Sequence, residues 1–334
     1  MSTQYGDISP RTAGKAAKEL LTRAIPFMVI EKFGQSKPVG KNSTKTVIFR
    51  RYNALDPTPK PLVEGVTPKA KKLTKTDVVA TLVQYGDRIE LSDVVLDTHE
   101  DPVLMESVDI LGEQAGQMLE IVRFGVLKAG TNVQYSVIAG QSALRSNVNV
   151  QISTSFQRRV TRALKRQNAR TITSVVKSTP SYGTESVAPA FIALCHPDLE
   201  NDVRDMDGFV PTEKYGSMTP YENEIGKVED CRYLTSTIFE PWADAGAAKS
   251  GSGTEMLSSG GTNADVYPVL YVARDAYGVV PFKGEGAVTP MIVNPKPSDS
   301  DPLAQRGHAG WKAMQTAVIL NDLWMVRGEV AVKA

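Results

Sequence analysis

The chain is poor in the residues that most chemistry uses. Its 334 residues include two cysteines, Cys195 and Cys231, three histidines and three tryptophans. Two thiols make neither a disulfide framework nor a zinc site by themselves, and they suit folding in a reducing cytosol. The formal net charge is +1, so no overall field selects nucleic acid or a membrane surface. No run of 18 apolar residues occurs, so nothing reads as a membrane-spanning helix. The opening MSTQYGDISPRTAGKAAKELL lacks the apolar core of a signal peptide. Also missing are a G-x-x-x-x-G-K-[ST] phosphate loop, a G-x-G-x-x-G turn after a strand and a G-x-S-x-G nucleophile elbow.

The remaining catalytic candidates each have a plainer reading. His99-Glu100-Asp101 offers metal donors, but acidic groups there suit the positive end of a helix dipole. Cys195 and His196 are adjacent, and neighbours on a strand point to opposite faces, so a buried free thiol is the better reading. His196-Pro197-Asp198 reads as a turn opening the segment Leu199 to Met206. Ser174 and Lys177 fit S-x-x-K, a pattern common by chance. The acid pairs Glu229-Asp230 and Asp299/Asp301 read as solvated surface. No catalytic, cofactor-binding or metal-binding residue is assigned, and the chain is not expected to be an enzyme.

What is present is architectural. An apolar content of 41% suffices for a real core, in one large domain or two to three smaller ones. Residues 11–24 read as a helix, and Phe27, Val29, Ile30 and Phe33 after it need burial, either on another molecule or in the chain's own core. Lys45 to Tyr52 (KTVIFRRY) reads as a strand. Four prolines (57, 59, 61 and 68) and Gly65 exclude regular structure across 56–69. Thr76 to Val95 reads as a long return strand, bent at Gly86-Asp87. A two-stranded ribbon is barely stable alone, and Lys69, Lys71, Lys72 and Lys75 discourage stray edge pairing.

A beam follows the ribbon. Asp101 suits an N-cap and Pro102 the first helical position. Leu104, Val108, Leu111, Ala115, Met118, Val122 and Val126 then step by three or four, which predicts a helix over about 102–128. Gly112, Gly116 and Gly125 invite close approach by a neighbouring backbone, and Gly130 suits the helix end. Residues 156–169 (FQRRVTRALKRQNA) read as a second helix. Phe156, Val160 and Leu164 form its apolar side, and Arg158, Arg159, Arg162, Lys165 and Arg166 cover the rest. This basic face suits phosphate contact without base readout, or ion pairing with acidic residues of this or a neighbouring chain. Short strands such as Ala190–Leu194 and Val266–Val272 follow. Residues 246–264 are Gly/Ser-rich and read as an exposed flexible loop. The tail from Gly310 to Val332 leans strongly toward strand.

Several long phrases carry a resemblance. YGDISPRTAGKAAKELL, EKFGQSKPVGKNSTKTVIFRRY, LTKTDVVATLVQYGD, DVVLDTHEDPVL, GVLKAGTNV, RRVTRALKRQNA, HPDLENDVR, PTEKYGS and GKVEDCRYL resemble, in order and over almost the whole chain, the tailed-phage major capsid proteins typified by coliphage N-four. The resemblance is weakest in 246–264. It implies an α+β, Hong Kong 97-type fold. Residues 1–40 become an N-terminal arm and 41–95 an extended β-hairpin loop. Residues 96–180 become a peripheral domain with spine helix 102–128, and 181–290 an axial domain. Residues 291–334 become C-terminal strands returning to the peripheral domain.

The function implied is self-assembly of pentamers and hexamers into an icosahedral shell enclosing double-stranded DNA. The subunit would be made and assembled in the bacterial host cytoplasm and end in the virion. Its partners would be other copies, packaged DNA, a portal, and decoration or scaffolding proteins, with no membrane and no cofactor. Lys60, Leu62, Val63, Lys69, Lys71 and Lys72 are the candidate contacts of the extended loop with a neighbouring subunit. The basic helix would face DNA or an interface. Two alternatives remain at this point: a nanocompartment shell enclosing a cargo enzyme, and a cytosolic enzyme with a Cys195/His196 site.

Overall fold

The computed structural model describes residues 28–37, 44–92 (apart from 63, 66, 68 and 69), 103–172, 189–215, 220–250, 255–280, 288–293, 297, 302, 303 and 305–334. The chain enters through strand β1 (Gln35–Ser36). Strands β2 (Thr46–Tyr52) and β3 (Lys75–Thr81) form the ribbon, and β4 (Val83–Ser92) continues from it. Helix α1 (Val103–Lys128) is followed by β5 (Val133–Tyr135) and helix α2 (Thr154–Arg166). Then come β6 (Phe191–Cys195), β7 (Phe209–Pro211), β8 (Glu224–Val228), β9 (Cys231–Thr235) and β10 (Tyr267–Val272). The chain closes with β11 (Tyr277–Val279), β12 (Thr289–Val293), β13 (Arg306–Gln315), β14 (Ala317–Ile319) and β15 (Met325–Val330).

The main core is built on a mixed sheet of seven strands in the order β5-β15-β10-β6-β9-β8-β7. Its central strands are apolar without alternation, because both faces are covered. Phe191, Ala193, Tyr233, Val269 and Tyr271 point to one face and meet Phe156, Val160 and Leu164 of α2. Ile192, Leu194, Leu234, Leu270 and Val272 point to the other face. There they meet Phe124 and Leu127 at the end of α1, and Val29 and Ile30 of the entering segment. Helix α2 starts on Ser153, whose side chain accepts from the Phe156 amide.

A second layer holds the rest of α1. At ~1.5 Å per residue the helix is roughly 40 Å long. Its Leu111, Ala115 and Leu119 pack on Ala309, Trp311 and Ala313 of β13. Strand β13 lies between β12 and β4 and pairs with β4 over its full length, from Arg306↔Ser92 to Gln315↔Val83. Each fully buried leucine contributes roughly 2 kcal/mol from burial alone. A small sheet of β1, β11 and β14 joins the layers.

Several expectations change. The return strand is interrupted: β3 ends at Thr81, Leu82 is buried, and β4 joins a different sheet. The break falls there because Leu82 anchors in the body, its amide bonded to the Lys45 carbonyl at 2.9 Å. Gly86-Asp87 is no bend, since both residues sit inside the ladder opposite Lys312 and Trp311. Gly125 has nothing within 4 Å of a notional Cβ, so no backbone among the described residues uses it for close approach. The apolar entering segment docks on its own chain, with Val29, Ile30 and Phe33 buried. The tail divides: β13 lies against α1, whereas β15 enters the seven-stranded sheet.

The Gly/Ser-rich stretch is pinned at its described flanks. Ala248 bridges Asn263, Met256 bridges Lys333, and Met256 and Ala264 are buried. The expected helix 11–24, the Asp101 cap, Pro102, His99 and Glu100 lie outside the described residues, as do Ser174, Lys177, Asp299 and Asp301.

Candidate assembly surfaces

The ribbon has one anchored face and one open face. Its residues alternate by the two-residue period of a strand. Val47, Phe49 and Ala80 turn inward and pack with Leu82 and Val280. Phe49 lies so close to Gly278 that a Cβ there would stand 2.6 Å from the ring, so β11 needs glycine at that point. Ile48 and its cross-strand partner Val79 turn outward and stay 42% and 56% exposed. Next on that face, Arg50 binds Asp77 through two hydrogen bonds of 2.8 and 3.2 Å, and Tyr52 lies opposite Lys75.

Beyond Tyr52 the described residues give the loop no cover. Residues 54–62 are all exposed, including Lys60 and Leu62. Asp56 accepts from the Thr58 amide and hydroxyl, a turn that places Pro57 between them. Lys71 reaches across to the Asp56 carbonyl at 2.8 Å, tying the two sides of the loop. Lys72 is exposed. Val63 and Lys69 fall outside the described residues. Gly65 adopts φ +79° in open space at the turn, a conformation that suits glycine.

Helix α2 carries the basic face, and its charges fall into two groups. Arg158 binds Glu229 and Lys165 binds Asp230, both acids lying in the turn between β8 and β9. Glu229 holds the Arg158 guanidinium above its usual range and is itself held low by it. Arg159 donates to Gln134 Oε1 and the Tyr135 carbonyl. The ion-pair reading therefore holds for two of the five cations. Arg158, Arg162, Lys165 and Arg166 line one open groove with Glu229 and Asp230, four cations against two carboxylates.

These surfaces, an uncovered ribbon and a half-neutralised basic groove, sit on a scaffold whose relatives are identifiable. A family model described as "Phage capsid protein" matches residues 75–322, most of the chain. The chain belongs to the phage capsid protein family. Comparison with the curated proteins gives no match. Among solved structures, it is similar to the capsid of Ralstonia phage GP4, at 13% identity and a TM-score of 0.69, over 90% of this chain and 87% of that one. It is similar also to the head structure of Helicobacter pylori bacteriophage KHP40, at 10% identity and 0.59, over 94% and 91%. A third is the cyanophage Pam1 capsid, at 14% identity and 0.58, over 94% and 93%. At these identities the likeness is one of fold, and that fold is the α+β, Hong Kong 97-type.

The capsid protein also holds two buried polar clusters that sequence reasoning missed. In the first, Glu120 is fully buried on α1, and its Oε1 accepts from the Val29 and Ile30 amides at 2.9 and 2.6 Å. Arg123, 1% exposed, donates to the Val280 carbonyl at 2.8 Å and Gln315 Oε1 at 3.0 Å, and pairs with Glu31 at 3.0 Å. Its other Nη stands 3.8 Å from Glu120 Oε2. Desolvation pushes the Glu120 carboxyl up to about 7, against the pull of Arg123 and the two amides. The helical period alone was a usable signal: 108, 112, 116, 120 and 124 form one row, and 111, 115, 119, 123 and 127 the next.

The second cluster fixes the end of α1. Arg327 donates to the Lys128 and Gly130 carbonyls, satisfying acceptors the helix leaves open. Arg145 makes a two-pronged pair with buried Glu329 at 2.7 and 2.8 Å, and Arg327 bonds the same carboxylate at 2.9 Å. The Lys128 and Arg145 cations stand 4.1 and 3.7 Å from the centre of the Trp242 ring. No sequence signal announces this junction, because its members come from distant parts of the chain.

The weak catalytic candidates land in structural roles. Cys195 is buried at a strand end, donates to the Leu234 carbonyl, and burial pushes its thiol up to about 12. His196 opens a turn, accepting from the Asp198 amide at 3.3 Å. Among the described residues, no group of three or more His, Cys, Asp or Glu is placed to hold a metal ion. No described helix is long and apolar enough to cross a membrane.

Proposed function

We propose that this chain is the major capsid subunit of a tailed phage, and that it self-assembles as pentamers and hexamers into the icosahedral shell around double-stranded DNA. The observation that carries the reading is the ribbon. Residues 54–62 extend beyond β2 exposed, and no core cluster among the described residues includes them. A contact between unlike surfaces of identical chains makes rings when the rotation closes. Interfaces in obligate assemblies bury roughly 2,000–5,000 Å², which compensates a subunit that leaves an arm uncovered.

Within the family we place the chain with the coliphage N-four type, on the ordered sequence phrases. Residues 1–40 are the arm, 41–95 the extended loop, 96–180 the peripheral domain and 181–290 the axial domain. Residues 291–315 belong with the peripheral domain, whereas β15 pairs into the seven-stranded sheet, which also takes β5 from within 96–180 and packs against α2. Lys60, Leu62, Val63, Lys69, Lys71 and Lys72 make the loop's contacts with a neighbour. Arg162 and Arg166, with the remaining α2 cations, give salt-sensitive contact with the packaged genome. Assembly takes place in the host cytoplasm, with a portal and decoration or scaffolding proteins as further partners.

Sedimentation and electron microscopy of the purified protein test this directly. The expected result is closed particles of many megadaltons, with DNA inside when the chain is made during infection. A stable monomer or small oligomer under every assembly condition would overturn the reading. Particles filled with a protein cargo would favour a nanocompartment.

A further inference from the structure

Beneath the outer half of the ribbon lies a groove of about 270 Å³. Phe49 and Trp324 supply its rings, together with Leu320, Arg51 and Asp275, and Tyr52 lies at its edge. Arg51 stands 5.8 Å over the Trp324 ring. Its neighbour Arg50 is taken by Asp77, but Arg51 has no carboxylate partner among the described residues. Tyr52 is 60% exposed. The groove is thus aromatic, part-open and supplied with a cation that no carboxylate pairs among the described residues.

The same chain carries a segment of matching chemistry. Residues 56–64 hold prolines at 57, 59 and 61, then Leu62, which is 76% exposed, and an acid at Glu64. Proline fixes φ near −65°, so such a run favours an extended, already ordered conformation. Segments of this kind dock into aromatic-lined grooves at low entropic cost. The charges also match: Glu64 complements Arg51, whereas Asp275 is already paired with Arg274 at 3.6 Å. A chain cannot fill its own groove this way. At ~3.1 Å per residue, the ten residues from Tyr52 to Leu62 carry the tip about 30 Å outward.

We propose that the groove under β2–β3 receives the proline-rich tip, residues 57–64, of a second copy, with Leu62 among the rings and Glu64 on Arg51. Knob and groove occupy different places on one chain, so the contact runs head to tail, the kind that makes a ring when the rotation between copies closes. This rests on the shell-building reading and adds where on the neighbour the loop lands.

The test uses cysteine pairs split between copies. Both native thiols are fully buried and do not compete. Full-length Thr76→Cys and Leu62→Cys chains, with Thr76 opposite Arg51 on the groove side of the ribbon, are assembled together, oxidised and run on a non-reducing gel. The expected result is a covalent dimer from the mixture that neither variant gives alone, since Cβ atoms must come within about 4.5 Å to form it. Independently, Arg51→Glu is expected to abolish particles while circular dichroism stays unchanged, and adding Glu64→Arg to the same chain is expected to restore them. Closed particles without the Thr76–Leu62 cross-link, normal assembly of Arg51→Glu, or failure of the double reversal would each overturn this inference alone. Failure of the unaltered chain to form particles at all would instead overturn the shell-building reading.

Discussion

Glu120 shows how much a single position can decide. It offers a carboxylate to two amides of the entering segment, yet its second oxygen has no hydrogen-bond partner among the described residues. The charged and titratable groups around it are Arg123 on its own helix, Glu31 on the entering segment and Tyr277 on β11, whose hydroxyl bonds the Ile30 carbonyl at 2.5 Å. Burial is the largest influence and lifts the carboxyl from 4.5 to about 7. A folded-state value above the unfolded one means the folded form takes up a proton. The stabilisation is therefore full below about 4.5 and is lost as pH rises through about 7. Glu120→Gln keeps an acceptor for the amides and removes the titration. Urea unfolding of the unassembled subunit is expected to show wild type losing about 2.5 kcal/mol relative to Glu120→Gln between pH 5 and pH 8. Parallel pH profiles for the two proteins would show that Glu120 is not the responsible group. Sequence reading found the helix that carries this residue but assumed an apolar stripe, because composition alone does not reveal a carboxylate whose partners are backbone amides ninety residues away.

At the scale of elements, periodicity was the reliable guide and pairing was not. The beam and the basic helix appear within two residues of their expected starts, since each buries a stripe that the 3.6-residue period exposes in the sequence. The break at Leu82 was not legible, because β3 and β4 share one β-rich stretch and differ only in their partners. The basic helix also looks uniformly cationic in sequence, and the turn after β8 neutralises part of it. This division makes a prediction. Arg162→Gln with Arg166→Gln is expected to weaken binding of the unassembled subunit to duplex DNA. The dependence of log K on log salt is expected to fall by about two, at roughly 0.9 for each phosphate that no longer meets a cation. Glu229→Gln, which frees Arg158 from its anion, is expected to move binding the other way. Unchanged salt dependence in the double variant would assign the groove to protein–protein contact.

For the whole molecule, α1 is the member that both layers share. Its first turns carry the β4–β13–β12 sheet, and its last turn supports the seven-stranded sheet and ends on Arg327. The two layers are thereby held by one rigid piece, and the distal loop of the ribbon is the part that no core residue depends on. The ends of that loop are already adjacent, because the Asn53 amide bonds the Thr74 carbonyl at 2.9 Å. Replacing residues 54–72 by a two-residue turn therefore leaves the core packing intact and closes a short hairpin in place of a long loop. The variant is expected to keep its circular dichroism and unfolding midpoint while remaining a slowly sedimenting species. The parent chain under the same conditions is expected to form closed shells. The two measurements separate folding from assembly. Shells of normal size from the shortened chain would mean that subunits find one another through the body and not through the arm.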